Sequence, residues 1–136
     1  MAGYSGKPLA AKLGLKEGFR VAVVNEPDGF RPELGDLSAI TISTKLQPPL
    51  DLILFFVKTQ SELKKGFAKL ASKLAPAGML WIAWPKKASG VLSDLTDNSV
   101  REIGLAAGLV DVKVCAVDDT WSGLKFVIRL KDRVKL

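Results

Sequence analysis

Apolar and polar positions along residues 50–84 fall into a three-part pattern. Leu50 to Val57 (LDLILFFV) and Met79 to Trp84 (MLWIAW) are nearly unbroken apolar runs. They are the length of strands and apolar on successive residues, so both faces of their sheet need a cover. Between them Leu63, Phe67, Leu70 and Leu74 recur at steps of four, three and four, the stripe of an amphipathic helix. Thr59 and Glu62 stand before that stripe at capping-box spacing, and Pro76 and Gly78 are read as the helix end. Buried strand, helix and buried strand together predict a parallel α/β sheet with helices on its faces.

The same reading extends to both sides. Pro8 to Leu13 predicts a short helix closed by Gly14, and Phe19 to Asn25 (FRVAVVN) a first buried strand. Pro27, Gly29, Pro32 and Gly35 then leave room for two helical turns at most, around Pro32 to Leu34. Ala39 to Ser43 is a short β-branched strand. Only Thr44 to Pro49 joins it to the next strand, whereas a parallel neighbour normally needs a crossover of about a dozen residues or more. The short strand is therefore expected to run antiparallel or to sit at the sheet edge. Ser93 or Thr96 starts a second long helix, with Val100, Ile103 and Ala107 facing in and Gly108 ending it. Val110 to Val117 and Leu124 to Leu130 are the last strands, joined through Asp118–Gly123 closely enough for an antiparallel hairpin. Strict alternation would put Asp111, Lys113, Cys115 and Val117 on one face, and Trp81 and Trp84 on opposite faces.

Composition narrows the chemistry. At 136 residues the chain fits one domain, taken here as 1–136, large enough to bury a core. It contains no histidine, which removes Ser-His-Asp and Cys-His catalysis and nearly all transition-metal sites. Cys115 is the sole cysteine, so no internal disulfide can form and a cytoplasmic location is expected. No apolar run approaches the ~18 residues that span a bilayer, and Met1 to Lys7 lacks a secretory pattern. The net charge of +6 is concentrated on Lys64, Lys65, Lys69 and Lys73 and on Lys125, Arg129, Lys131, Arg133 and Lys135. That excess suits an acidic partner without naming one.

Leu74, Pro76 and Gly78, preceded by the LDLI strand and followed by the apolar strand Met79 to Trp84, match a "Leu-x-Pro-x-Gly" turn. With Ala107-Gly108-Leu109 and the final hairpin, they resemble the second half of the Rossmann-like fold of S-adenosylmethionine-dependent methyltransferases, over about residues 50–131. The chain also resembles a bacterial family of small proteins catalogued only as a domain of unknown function. The segments that carry this likeness are Tyr4-Ser5-Gly6, Trp84 to Gly90 and Val117 to Leu124. The resemblance implies a three-layer α/β fold, a mostly parallel sheet with a C-terminal antiparallel hairpin, in shortened methyltransferase-like topology.

The departure from that family falls on the loop after the first strand. Asn25-Glu26-Pro27-Asp28-Gly29-Phe30 has a proline and one glycine where the family has a glycine-rich cofactor loop. Pro27 removes a donor, and Ser43-Thr44-Lys45 stands where an acidic residue would hold ribose hydroxyls. No cofactor is therefore expected, S-adenosylmethionine being the alternative. Ligands on such sheets bind beyond the carboxyl ends of the strands. The candidates there are Asn25, Glu26, Lys86, Lys87, Ser89, Asp118, Asp119 and Trp121. Lys86, Lys87 and Ser89 would grip an anion with ammonium and free backbone N–H groups, and Trp121 with Asp118 and Asp119 would form the opposite wall. The expected function is a non-catalytic binding or adaptor domain for an anionic small molecule or acidic protein partner. A methyltransferase with an atypical cofactor loop, Asp118 or Glu26 accepting a proton, is one alternative. Weak nucleic-acid binding by the lysine-rich helix and C-terminal end is another.

Overall fold

The two apolar runs become the middle of a six-stranded sheet in the computed structural model, which describes residues 8–43 and 45–133. In chain order the elements are α1 (Leu9–Leu13), β1 (Arg20–Val24), β2 (Thr41–Ser43), β3 (Leu50–Phe56), α2 (Gln60–Ala71), β4 (Leu74–Pro85), α3 (Asp97–Ala106), β5 (Leu109–Ala116) and β6 (Trp121–Ile128). Single 3-10 turns cover Arg31–Leu34, Lys87–Ser89 and Leu130–Asp132. The strand order is β2-β1-β3-β4-β6-β5, with β2, β1, β3 and β4 parallel and β6 antiparallel to both β4 and β5. The expected three-layer arrangement is present. Leu63, Phe67, Leu70 and Val100 of α2 and α3 pack on Ile53, Phe55, Ile82 and Trp84 on one face. Leu9 and Leu13 of α1, with Phe30 and Leu34, pack on Leu52, Leu54, Phe56 and Trp81 on the other. Trp81 and Trp84 thus point to opposite layers. No helix among the described residues is long and apolar enough to cross a membrane.

The short strand β2 lies at the edge and runs parallel to β1. Antiparallel pairing was the other expectation, and strand length explains why it is unnecessary. Ser43 and Ile53 both pair with Ala22, so the chain leaving β2 drops only three residues to reach Leu50. That drop of ~10 Å, with two strand spacings of ~5 Å each, makes a gap of about 14 Å. Six extended residues reach ~20 Å and cover it.

Three features depart furthest from the periodic reading. Helix α2 ends at Ala71, and Leu74 belongs to β4, where it pairs with Leu50. The next paired residues are Leu52 and Met79, so Ala75–Gly78 bulges out of the ladder rather than capping the helix. Gly78 is needed there because a Cβ would lie 2.8 Å from the Leu50 carbonyl oxygen. Strand β6 begins at Trp121 rather than Leu124, which shortens the hairpin connection. In β5 the register shifts between Asp111 and Lys113, leaving Val112 as an extra residue. This bulge reverses the alternation: Asp111 pairs with Arg101 of α3, while Cys115 packs in the α1 layer.

Candidate functional site

The chain leaves β1 towards β2 on one side and returns to β3 on the other, so the order reverses between β1 and β3. Open α/β sheets bind ligands at such a switch point, beyond the strand ends. A cleft of about 370 Å³ sits there, lined by Asn25, Glu26, Pro27, Asp28, Phe56, Lys58, Glu62 and Trp121.

The cleft is built by local chemistry at each strand end. Asn25 follows β1 at φ 58°, the left-handed region that glycine usually supplies and that asparagine tolerates. Its amide donates to the Phe56 carbonyl at 3.2 Å and to Glu62 Oε2 at 3.4 Å, tying the ends of β1, β3 and α2 together. Thr59 caps α2 by accepting from the Glu62 N–H at 3.1 Å. Glu62 does not return the bond to Thr59, as a capping box would require. Its Oε1 accepts from the Lys58 N–H at 2.9 Å. Asp94 accepts from the Gln60 N–H at 2.8 Å. Two first-turn donors of α2, the Gln60 and Glu62 N–H groups, are thereby occupied by the chain's own oxygens, and the Lys58 ammonium stands at the same end for an anion.

The floor is aromatic. Phe30, Phe56 and Trp121 stack edge-to-face, with centroids 4.8 and 5.0 Å apart. Glu26 is held by a two-pronged ion pair with Arg31, Nη2 to Oε1 at 2.5 Å and Nε to Oε2 at 3.0 Å. Glu26, Asp28 and Glu62 outnumber Lys58 in the lining, and with Glu26 paired to Arg31 the excess carboxylate falls on Asp28 and Glu62.

Of the sequence candidates, Asn25, Glu26 and Trp121 meet in this cleft. Lys86 and Lys87 line a separate hollow of about 680 Å³ with Trp84, Val91, Leu92, Leu95 and Val114. A third depression, lined by Lys58 and Val91–Asp94, lies between the two. Ser89, Asp118 and Asp119 line none of the three. The Ser89 hydroxyl donates to the Lys86 carbonyl at 2.6 Å, and Asp118 Oδ1 accepts from the N–H groups of Thr120 and Trp121 at 2.8 Å each. Asp119 is exposed on the turn. The free backbone donors expected of the Lys86–Gly90 loop are largely taken. Lys86 N–H bonds Thr120, Ser89 N–H bonds Lys86, and α3 starts only at Asp97. Asp28 and Lys58 follow strand ends in the sequence, whereas Phe56 and Glu62 escaped the sequence reading. Phe56 looked like core and Glu62 like a cap; the step of one residue from Thr59 to Lys58 in its reach leaves no signal in spacing.

Asn25 gives a direct check on this geometry. Glycine there keeps the backbone conformation and loses the two side-chain bonds. Valine loses the bonds and strains the backbone as well. Asn25→Val is expected to be less stable than Asn25→Gly by about 1–2 kcal/mol in chemical denaturation. Equal stabilities would mean that the left-handed turn is not kept.

Comparison with solved structures agrees with this topology. A SAM-dependent methyltransferase from Aquifex aeolicus is 19% identical, with a TM-score of 0.63 over 89% of this chain and 88% of its own. Magnesium protoporphyrin IX methyltransferase from Synechocystis, solved with bound SAM, is 12% identical with a TM-score of 0.58, covering 89% and 74%. A ribosomal protein L11 methylase from Lactobacillus delbrueckii is 11% identical with a TM-score of 0.55, covering 89% and 77%. The fold is therefore methyltransferase-like. No protein-family model and no curated protein sequence matches the chain. Met1 to Lys7, with Tyr4-Ser5-Gly6 among them, Thr44 and Lys135 lie outside the described residues.

Proposed function

We propose that this chain is a methyltransferase-type domain that binds S-adenosylmethionine in the cleft between the ends of β1 and β3. The observation that carries this reading is an acidic, aromatic-floored cleft at the switch point of a methyltransferase-like sheet. The ligand carries a sulfonium, an ammonium and a carboxylate. Asp28 and Glu62 suit the two cations, Lys58 suits the carboxylate, and Phe56 and Trp121 underlie the apolar parts. When bound, the cofactor supplies an electrophilic methyl group; the residues named here hold and orient it. The glycine-poor loop with Pro27, and Ser43-Thr44-Lys45 in place of an acidic residue, led to the expectation of no cofactor; the likeness to a structure solved with bound SAM supports the alternative. Asn25 occupies a left-handed position where a glycine would serve, so the loop turns sharply without one. An anionic ligand at Lys86 and Lys87 has less support, because that loop spends much of its backbone donor set on itself.

Calorimetry and thermal denaturation with S-adenosylmethionine test the proposal. Saturable binding is expected, with stabilisation of about 2.7 kcal/mol at a hundredfold excess over the dissociation constant. Asp28→Asn, an exposed change that keeps the fold, is expected to weaken it severalfold. Absence of saturable binding at millimolar cofactor would refute the assignment.

A further inference from the structure

Away from the cleft, the α1 face of the hairpin gathers three ammonium groups. Lys113 and Lys125 stand directly opposite each other on β5 and β6. Like charges in that position repel and normally destabilise the pair. Lys12 of α1 joins them: its Nζ donates to the Ala116 carbonyl at 3.4 Å, and Lys113 Nζ donates to the Lys12 carbonyl at 3.3 Å. Lys125 leans over the Trp81 ring, its Nζ 5.9 Å from the centroid. The ion pairs among the described residues are Arg31–Glu26 and Arg101–Asp111, so no carboxylate neutralises this group. Arg129, just past β6, has a buried Nε with no hydrogen-bond partner among the described residues.

The three lysines surround one small, half-buried group, the Cys115 thiol. Burial pushes that thiol above its ordinary value, while Lys12, Lys113 and Lys125 each pull it back. Lys125 is itself held below the usual lysine range by burial and by Lys113. Gly123 lies opposite Cys115, and Trp81 and Val117 fill the space beside it. Carbonyl oxygens and an aromatic face thus hold uncompensated cations on one face of the hairpin.

We infer that Lys12, Lys113 and Lys125 form a binding site for a small multivalent phosphate anion. Such a ligand would relieve the cross-strand repulsion and accept charge-assisted hydrogen bonds from all three ammonium groups. Three ammonium groups on one cross-strand pair and the adjoining helix favour a pyrophosphate-sized group over the extended track of a polynucleotide.

The test uses inorganic pyrophosphate at low salt with the unmodified chain, Lys113→Gln and Lys69→Gln. Lys69 lies exposed on α2 in the opposite layer, so its replacement removes the same net charge outside the site. Lys113→Gln is expected to bind pyrophosphate about tenfold more weakly, and Lys69→Gln to bind it unchanged. Without the anion, Lys113→Gln should melt no lower than the parent, because a like-charge pair is removed while a side-chain donor is kept. Pyrophosphate should also slow alkylation of Cys115 by iodoacetamide, an unambiguous readout in a chain with one cysteine. Equal weakening by both variants, or unchanged Cys115 reactivity at saturation, would overturn the site. Single-stranded RNA that displaces pyrophosphate with affinity rising with length would overturn it too, assigning the lysines to a polynucleotide backbone.

Discussion

Replacing Trp81 with alanine is expected to lower the stability of this chain by about 3–5 kcal/mol, the range for emptying a buried indole site. Trp81 is fully buried on β4 in the α1 layer. Its Nε1 donates to the Leu13 carbonyl at 2.8 Å, and that bond links the end of α1 to the middle of the sheet across 68 residues of sequence. Beneath the ring, Gly123 leaves the room it needs; a Cβ there would lie 3.2 Å from Trp81 Cε3. Alanine removes the ring, the bond and the surface on which Lys125 rests. Phenylalanine separates these effects. It keeps most of the volume but leaves the Leu13 carbonyl without that donor, at an expected cost of about 1–3 kcal/mol. Urea denaturation of both variants checks the order. A Trp81→Ala midpoint close to that of the parent would show that α1 is not anchored through this residue.

Gly104→Ala is the second large effect, expected to destabilise by about 2–3 kcal/mol even though alanine is the better helix former by about 1 kcal/mol. Gly104 is buried on α3, and a Cβ built on it would stand 2.0 Å from Phe126 Cε1. Phe126 has little room to give way. It is fully buried on β6, and its ring meets Phe67 of α2 edge-to-face at 5.2 Å. The added methyl must push α3 off the sheet or turn the ring out of that contact. Phe126→Leu costs stability by itself but frees the space beside residue 104. The double variant should therefore lose clearly less than the sum of the two single losses in a double-mutant cycle. Strict additivity would mean that the close approach of α3 to β6 is not what makes glycine necessary.

Residues 50–84 made most of the architecture legible, because burial on both faces leaves strands no freedom to alternate. The capping residue Thr59, the two-layer division of Trp81 and Trp84, and the turn around Pro32 followed from local rules as well. The site was less legible. Asn25 and Glu26 could be placed by topology, but a count of glycines says nothing about φ, and Asn25 takes a left-handed conformation without being one. Lys86 and Trp121 also end at the same edge of the sheet, yet they face different hollows.

Local patterning determined by itself that this chain is α/β, which runs are buried strands, where α2 starts and which catalytic chemistries it lacks. Those properties depend on side-chain type and on spacings of a few residues. Tertiary structure alone decided the parallel edge strand, the bulges at Ala75–Gly78 and Val112, and the grouping of Asn25, Phe56, Lys58 and Glu62 into one cleft. It also brought Lys12 beside Lys113 and Lys125. Each of these depends on strand register and close packing between distant segments, and a shift of one residue moves a side chain to the other face of the sheet.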